Sequence, residues 1–305
     1  MISILMSTYN GENYIIEQLE SLLNQTLLAD EVIIFDDCST DSTVELIKEF
    51  IDKHHLDKQW YLKVNSRNIG YKANFRQGIQ EVNGEYIFFC DQDDIWEPKK
   101  IERGVNTLKN NPWIEVLGTS LIHFYPDGTT RTEGALNGEL ERVTYTTPKS
   151  FIPHPPGCSM LVTKRYLNEV INEYSDSWAQ DEFFWRMATV DNVCALLHHS
   201  DLQHRMSGTN VTSLQFKTID ERLKQANMNT INYGKLLSYA KNQNPQPLIL
   251  EMIDYHVIGN KLRIDFLKNS NVKSLLKLIS QYRYIYLSSK QLAGDIYFVL
   301  KQLIV

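Results

Sequence analysis

Hydrophobic residues in the first third of the chain form short continuous runs, and segments with helical spacing separate them. The runs, rich in β-branched and aromatic residues, are Ile2–Ser7, Glu31–Phe35, Trp60–Val64 and Glu85–Cys90. The segments with helical spacing are Tyr14–Leu23, Val44–Ile47 and Asn74–Glu81. Strand and helix signals that alternate in this way predict βαβ units, and therefore an α/β fold with a largely parallel sheet.

The pattern changes after the first third. The stretch from Trp113 to Val162 is richer in Gly, Pro, Thr and Tyr and predicts shorter strands of mixed direction, whereas Phe183–Thr189 has helical spacing. From about Asp220 the pattern is mostly helical, with one break at Asn242–Pro247. We therefore expect an α/β domain over residues 1–215 and a helical C-terminal region over residues 216–305.

The composition is that of a folded protein, with 43% hydrophobic and 22% charged residues among 305. The formal net charge of −6 argues against nucleic-acid binding, which normally needs a basic face. Residues 255–305 contain eight basic and two acidic residues and so carry +6, which leaves −12 for residues 1–254.

Cysteine usage and hydropathy predict a cytoplasmic protein. The four cysteines are scattered, without a CxxC pair or zinc-finger spacing, which favours reduced structural cysteines. We expect no signal peptide, because no basic segment precedes a long apolar run at the start. No stretch reaches the roughly 18 apolar residues of a membrane span.

The strongest chemical signal is the segment Asp91-Gln92-Asp93-Asp94, directly after the fourth predicted strand. Three carboxylates within four residues repel one another, and a divalent cation such as Mg²⁺ or Mn²⁺, which prefers hard oxygen ligands, relieves that repulsion. The alternative is a solvated acidic turn in which Asp94 caps the next helix.

A second acidic pair, Asp36-Asp37, ends the second predicted strand. Carboxylates after strands accept hydrogen bonds from the ribose or base in nucleotide-binding folds. The alternative is a helix-capping group formed with Ser39, Thr40 and Asp41.

Over residues 1–215 the chain resembles the inverting glycosyltransferases of family 2, and within them the rhamnosyltransferase-like branch of bacterial polysaccharide synthesis. The motifs that carry the resemblance, in order, are Ser7–Glu12, Asp36–Asp41, Asn68–Gly70 with Asn74 and Phe75 after it, and Asp91–Trp96. The resemblance implies the GT-A fold, a Rossmann-like mixed sheet flanked by helices, here with a C-terminal helical appendage.

The same resemblance implies a binding site for a nucleotide-diphosphate sugar. Its donor-binding residues would be Thr8, Tyr9, Asn10, Glu12, Asp36, Asp37, Asn68, Gly70, Asn74, Asp91, Gln92 and Arg205. Asp36 or Asp37 would hold a uracil or thymine base, and Asp91 would lie near the ribose and sugar. Asp93, together with Asp91, would bind Mn²⁺ or Mg²⁺, the implied cofactor.

Arg205 would contact the diphosphate, because a guanidinium forms paired hydrogen bonds with phosphate oxygens. Relatives tend to carry a histidine two residues later, where this chain has Ser207. His204 or a water molecule could then complete the metal shell, so the third metal ligand stays open.

An inverting transfer also needs a base that takes the proton of the acceptor hydroxyl. The segment Trp178–Trp185 matches the family's position for it, with Asp181 as the predicted catalytic base and Glu182 as the second candidate. Gly157, Trp178 and Glu182 are predicted to lie against the acceptor. The alternatives are a favourable helix N-terminus for the two carboxylates and an ordinary tight turn at Gly157.

The implied function is transfer of a sugar from a UDP- or dTDP-sugar, with inversion, to a hydroxyl of a saccharide or lipid-linked saccharide in surface polysaccharide synthesis. A nucleotidyltransferase is disfavoured because no Gly-rich basic loop follows the first strand, and a Rossmann dehydrogenase because GxGxxG is absent. A non-catalytic nucleotide-sugar-binding module is the remaining alternative.

The basic tail also contains apolar and aromatic residues. Such helices lie on anionic membranes, which predicts peripheral contact with the inner face of the membrane. A lid on the first domain and a homo-oligomer interface are the other interpretations.

Overall fold

The predicted strand–helix units of the first third form the parallel part of one sheet. The computed structural model describes residues 1–145, 147–151, 155–175, 177–206, 216, 218–243 and 245–304. The strands are β1 (Ile2–Thr8), β2 (Glu31–Asp36), β3 (Trp60–Val64), β4 (Tyr86–Asp91), β5 (Ile95–Trp96), β6 (Val116–Phe124), β7 (Thr130–Glu133), β8 (Leu140–Arg142), β9 (Met160–Thr163) and β10 (Cys194–Arg205).

The described part of the first 200 residues contains six α-helices of seven to twelve residues each. They are α1 (Ile15–Leu23), α2 (Thr43–Lys53), α3 (Tyr71–Ile79), α4 (Lys100–Asn110), α5 (Lys164–Val170) and α6 (Gln180–Asp191). The later helices are α7 (Ile219–Gln243), α8 (Pro247–Asn269), α9 (Val272–Ser280) and α10 (Ser289–Ile304). The break expected at Asn242–Pro247 is confirmed, since α7 ends and α8 begins there.

The sheet order is β3-β2-β1-β4-β9-β6-β10-β5, with β7 beside β6 and β8 beside β10. The first four strands of this order are parallel, whereas β9 runs antiparallel to both of its neighbours, and so the sheet is mixed. Strand β6 is longer than the short strands expected in this region, because its nine residues pair with three partners.

Apolar residues of both faces of the sheet form the interior. β1, β2 and β4 are buried along nearly their whole length, as their continuous apolar runs predict. The helices α1 and α2 bury Ile15, Leu19 and Ile47 against this sheet, one face of each helix. Because both faces of these strands are buried, packing fixes the position of each strand along its axis. The loops that follow the strands are thereby held in place.

Two compact units divide the chain. One contains Met1–Val143, Pro155–Thr189 and Val193–Thr209; the other contains Thr144–His154, Val190–Asn192 and Asn210–Val305. The second unit thus takes in two short segments from before residue 216. Among the described residues, no helix combines the length and the hydropathy that a bilayer-spanning segment needs.

The second unit has its own core and a buried ionic group. Arg222 of α7 and Arg263 of α8 both bind the carboxylate of Asp295 in α10, at N–O distances of 2.7 and 2.6 Å. Asp295 and Arg263 are almost completely buried, and Phe266 and Leu278 lie in the apolar core of the same unit.

Candidate functional site

Three adjacent parallel strands end at the same level of the sheet. In the register of β1 with its neighbours, Thr8 is opposite Asp36 of β2, and Ser7 is opposite Asp91 of β4. The loops after these strands therefore meet at one edge, where ligands bind in open α/β sheets. The structure brings the four sequence motifs together there.

Asp36 is completely buried, and protein donors occupy both of its carboxylate oxygens. The Thr8 hydroxyl donates to Oδ2 at 2.8 Å, and Ser39 donates its backbone N–H to Oδ1 at 2.8 Å and its hydroxyl to Oδ2 at 2.6 Å. These bonds hold the turn after β2, in which Cys38 adopts a left-handed backbone with φ of 64°. The buried Asp36 carboxylate therefore fixes the conformation of the turn after β2.

Asp37 holds the loop between β3 and α3. Its Oδ1 accepts from the Ile69 backbone N–H at 2.8 Å and from the Asn65 amide at 3.0 Å, and its Oδ2 accepts from the Gly70 N–H at 2.7 Å. Gly70 has a φ of 86°, a conformation that glycine adopts without strain. The loop consequently presents Asn68 to solvent beside the strand ends.

Asn74 is a buried link between strands. Its Nδ2 donates to the Ser7 hydroxyl and to the Phe35 carbonyl, both at 2.7 Å, and its Oδ1 accepts from Asn65 at 2.9 Å. Since these groups occupy its amide and it is fully buried, Asn74 fixes the β1 and β2 ends from within the protein.

The loop after β1 is tied down on two sides. Gln92 accepts from the Tyr9 N–H at 2.8 Å and donates to the Tyr9 carbonyl at 3.1 Å, while the Asn10 carboxamide oxygen accepts from the Thr40 N–H at 2.8 Å. Glu12 accepts from the Ser42 N–H at 3.0 Å. The Tyr9 side chain stays 44% exposed, so it is free to lie against a ligand.

The acidic triplet after β4 lies at the centre of this edge. Asp91 and Asp93 are half-buried, and Asp94 is completely buried. Burial, followed by the charge of Asp94, raises the pKa of Asp93 to about 6, and burial also raises the pKa of Asp94 to about 6. Burial and the charges of Asp94 and Asp93 likewise raise the pKa of Asp91. A nearby cation would stabilise the charged carboxylates and lower these pKa values.

The surroundings of Asp94 fit a divalent cation. Its Oδ1 accepts from the Arg205 backbone N–H at 3.1 Å, whereas its buried Oδ2 has no N–H or O–H donor among the residues that the structure describes. The Cys158 thiol lies beside this carboxyl and interacts with it. Possible ligand atoms of Asp94, Cys158 and His204 all lie within 4.8 Å of one another. Burial raises the pKa of the Cys158 thiol, so this sulfur stays protonated and is a poor ligand. The carboxylate oxygens and the imidazole are the donors that suit Mg²⁺ or Mn²⁺.

His204 belongs to a short polar chain. Its Nδ1 lies 3.0 Å from Nδ1 of His123, and Nε2 of His123 lies 2.6 Å from the Glu133 carboxylate. Burial and the neighbouring His123 lower the pKa of His204, which favours the neutral imidazole that metals bind. Ser207, which raised the question of the third metal ligand, lies outside the described residues.

Arg205 is held by protein groups at the mouth of the site. Its Nε donates to the Asp93 carbonyl at 2.9 Å, its Nη2 pairs with the Glu17 carboxylate, and the guanidinium lies between the rings of Tyr14 and Phe124, at 4.6 and 4.3 Å. Its side chain is 16% exposed. Contact of this guanidinium with a diphosphate stays a prediction.

The predicted base lies in the same electrostatic neighbourhood as the triplet. Asp181 and Glu182 are half-buried in the first turn of α6, and the charge of Asp181 contributes to the raised pKa of Asp91. Burial and the charges of Asp181, Glu182 and Asp91 raise the pKa of Tyr71 to about 12. The neighbouring Lys72 donates to the Ser177 carbonyl at 3.0 Å, just ahead of α6.

Gly157 and Trp178 both face the protein interior. A Cβ atom at Gly157 would lie 2.7 Å from Nε2 of Gln180 and 3.6 Å from Cβ of Asp181, so the glycine allows close packing against the start of α6. Trp178 is 2% exposed and packs against Phe183. Both residues are therefore packed at the start of α6, beside Asp181, and their contact with an acceptor stays a prediction.

Three residues near the triplet were not predicted from the sequence. They are Cys158, Lys100 and His123. Lys100 is buried on α4, where burial lowers its pKa to about 8 and the charge of Asp94 opposes that change. Lys100 and His123 belong to no local motif, and Cys158 directly follows Gly157, for which only acceptor contact was predicted. Each of the three reaches the site through long-range strand or helix packing.

A comparison with known families decides the class of protein. The profile for glycosyl transferase family 2 matches residues 3–171, more than half of the chain. The chain belongs to glycosyltransferase family 2. The matched range contains the three strand ends, the acidic triplet and Cys158, whereas Asp181, His204 and Arg205 follow it. Members of this family are enzymes that invert the transferred centre.

Relatives of this glycosyltransferase align over part of its length. The dTDP-rhamnosyl transferase RfbG of Shigella flexneri is 30% identical over 197 residues, which cover 61% of this chain and 66% of that protein. An uncharacterized glycosyltransferase of Haemophilus influenzae is 38% identical over 111 residues, which cover 36% of this chain and 43% of that protein. The aligned stretches span less than two thirds of either relative.

Solved structures confirm the expected fold. Staphylococcus aureus TarS, residues 1–349 in complex with UDP-GlcNAc, matches with a TM-score of 0.66 at 17% identity, over 98% of this chain and 80% of that chain. The mannosyltransferase PcManGT of Pyrobaculum calidifontis, in complex with GDP-Man and Mn²⁺, matches with a TM-score of 0.57 at 14% identity, over 99% and 86%. The mixed sheet flanked by helices is GT-A-like, with the helical region α7–α10 after it.

Proposed function

We propose that this glycosyltransferase transfers a sugar from a UDP- or dTDP-sugar to a hydroxyl of a saccharide or lipid-linked saccharide in surface polysaccharide synthesis. The observation that carries the proposal is the common level of Thr8, Asp36 and Asp91 at adjacent strand ends, with Asp181 in the electrostatic neighbourhood of Asp91. Such an arrangement supports a donor on one side of the triplet and an acceptor on the other.

On the donor side, hydrogen bonds of buried side chains hold the loops that follow β1, β2 and β3. Protein donors occupy the carboxylates of Asp36 and Asp37, and the Asn74 amide donates to protein acceptors. We therefore assign these three residues to shaping the nucleotide site, and Tyr9 and Asn68 to facing the base and ribose. Among donor sugars we favour dTDP-rhamnose, since the Shigella relative is named a dTDP-rhamnosyl transferase. The UDP-GlcNAc complex of TarS supports UDP-sugars as alternative donors.

Asp91 and Asp93 would hold Mn²⁺ or Mg²⁺, with a buried Asp94 oxygen and His204 as the further ligands nearby. Bound there, the cation would offset charge on the leaving nucleoside diphosphate as a Lewis acid. The Mn²⁺ in the PcManGT complex supports the choice of metal. The raised pKa values of the three carboxyls also support a bound cation, because the protein alone does not stabilise these charges.

On the acceptor side, Asp181 would take the proton from the acceptor hydroxyl while that oxygen attacks C1 of the sugar. The C1–oxygen bond to the nucleoside diphosphate breaks from the opposite face, which inverts the centre. Glu182 lies next to Asp181 and would orient the acceptor. Gly157 and Trp178 would contribute indirectly, by fixing the start of α6.

The test is release of nucleoside diphosphate from a panel of UDP- and dTDP-sugars, with an acceptor saccharide present and Mn²⁺ added. We expect Asp93→Asn to abolish metal-dependent release. Asp181→Asn is expected to lower the transfer rate by about 10²–10⁴, the usual contribution of a general base, while metal-dependent nucleotide binding is kept.

The matched control is Asp57→Asn, an exposed carboxylate ahead of β3 and so at the opposite edge of the parallel strands. It should leave release unchanged. Full activity of Asp93→Asn would overturn the metal assignment, and a normal transfer rate in Asp181→Asn together with a slow Glu182→Gln would move the base to Glu182.

A further inference from the structure

Helix α9 carries an apolar stripe on its solvent side. Val272, Leu276 and Ile279 are 63%, 61% and 45% exposed. Residues spaced four and three apart lie on one face of a helix, so the three side chains form one line along it. A large exposed apolar line of this kind is unusual in a protein surface that contacts only water.

Exposed basic residues border the stripe. Lys273 and Lys277 each follow a stripe residue by one position and form a second line beside the first. The segment from Phe266 to Gly294 has five basic residues, all exposed, and no acidic one. They are Lys268, Lys273, Lys277, Arg283 and Lys290.

The inner side of α9 is fixed without help from the stripe. Ser274 and Leu278 are buried, and the Asn271 side chain caps the helix by accepting from the Lys273 and Ser274 N–H groups. Asp265, the nearest acidic residue before the segment, accepts from the Ser274 hydroxyl at 2.6 Å and from the Asn271 amide at 2.7 Å. The stripe therefore contributes nothing to the core and is available as a surface.

We propose that the outer face of α9, formed by Val272, Leu276 and Ile279 with Lys273 and Lys277, docks on the surface of an anionic lipid bilayer. Charge complementarity favours an anionic bilayer as the partner of this surface. The lysines would contact anionic headgroups while the apolar side chains enter the headgroup–acyl boundary. A second copy of the chain is disfavoured, because a two-fold interface would bring lysine lines without acidic partners together. The proposal is independent of the donor site and of the transfer reaction.

The test is cosedimentation of the full chain with vesicles of phosphatidylcholine alone and with added phosphatidylglycerol. We expect binding only with phosphatidylglycerol, and weaker binding at high ionic strength. Lys273→Glu with Lys277→Glu, and separately Leu276→Ser with Ile279→Ser, should each weaken binding by at least about tenfold, since each surface lysine contributes roughly fivefold.

Helix α7 offers a matched control. Ile231 is 53% exposed, and Lys235 lies exposed one turn later on the same helix. The double variant Ile231→Ser, Lys235→Glu makes one change of each kind outside α9 and should bind vesicles as the unaltered chain does. Thermal unfolding and nucleoside diphosphate release of every variant should match the unaltered chain, which separates docking from folding and catalysis.

Equal vesicle binding by the α9 variants and the unaltered chain would overturn the proposal, as would equal binding to both lipid compositions. Light scattering tests the second copy: a dimer that the Leu276→Ser, Ile279→Ser variant reduces to a monomer, without vesicle binding, would also overturn it. Loss of vesicle binding in variants that still release nucleoside diphosphate supports docking, whatever the outcome for the donor site.

Discussion

At the scale of single residues, the carboxylates at the sheet edge fall into two groups. Asp36 and Asp37 are occupied by hydroxyl and backbone donors of the protein, whereas Asp94 keeps one buried oxygen without an N–H or O–H donor among the described residues. The first group stabilises the loops that follow β2 and β3. The second group is unfavourable when charged, until a cation binds.

A pH dependence of metal binding follows from the second group. The pKa values of Asp93 and Asp94 are raised from 3.8 to about 6. In the metal-free protein their protonated forms dominate only below about pH 6, so their contribution to stability is present below the ordinary pKa and lost as the pH rises through about 6. A cation binds the charged forms.

We therefore expect Mn²⁺ to raise the Tm strongly at about pH 7.5 and weakly at about pH 5, as thermal unfolding with and without Mn²⁺ would measure. The Asp93→Asn protein should lose most of this rise at both pH values. An equal rise at both pH values in the unaltered chain would contradict the assignment of these carboxyls as metal ligands.

At the scale of elements, three helices of the second unit depend on one buried carboxylate. Arg222 of α7 and Arg263 of α8 both bind Asp295 of α10. Removing the acid leaves two buried guanidinium groups without their charge partner, which is far more costly than losing an exposed pair. The group thus ties together helices that are distant in sequence.

Asp295→Ala is expected to lower the free energy of unfolding by about 3–5 kcal/mol. Urea unfolding followed by circular dichroism measures the change. The control, Asp254→Ala, removes an exposed carboxylate of α8 and should stay within about 0.5 kcal/mol of the unaltered chain. Similar unfolding of both variants would show that the ionic group contributes little.

Element boundaries also show how far the sequence can predict this protein. β3 is found at its predicted residues, and α3 begins at Tyr71 instead of Asn74, because Gly70 at positive φ ends the preceding loop. Periodicity located these local elements. It could not find Cys158, His123 or Lys100, since their proximity to the triplet depends on β9, β6 and α4 packing at long range.

The roles of individual motif residues were also beyond the sequence. Motif order brought Asp36, Asp37 and Asn74 to the correct edge, but whether a side chain faces a ligand or a neighbouring loop depends on hydrogen bonds that only the folded chain forms. Trp178 illustrates the same limit, because an aromatic residue near a predicted base can equally well be core.

At the scale of the whole molecule, charge is separated along the chain. Residues 1–254 carry −12 and residues 255–305 carry +6. A nucleoside diphosphate must therefore approach a catalytic region of its own sign, and a bound divalent cation reverses the local field at the triplet.

We expect chelation of divalent metal by EDTA to weaken UDP or dTDP binding by about tenfold or more, equivalent to about 1.4 kcal/mol, as calorimetric titration would measure. Uridine and thymidine, which lack phosphates, serve as controls, and their affinities should change little. If the diphosphates bind equally well with and without metal, the negative field of this region is compensated by the protein itself.

The left-handed turn after β2 has a practical consequence. Cys38 is half-buried in that turn, next to Asp37, whereas Cys90, Cys158 and Cys194 lie inside the protein, where burial raises the pKa of their thiols. A maleimide dye reacts with accessible thiolates. It would consequently label the native enzyme at Cys38, beside the proposed donor site, without any engineered cysteine.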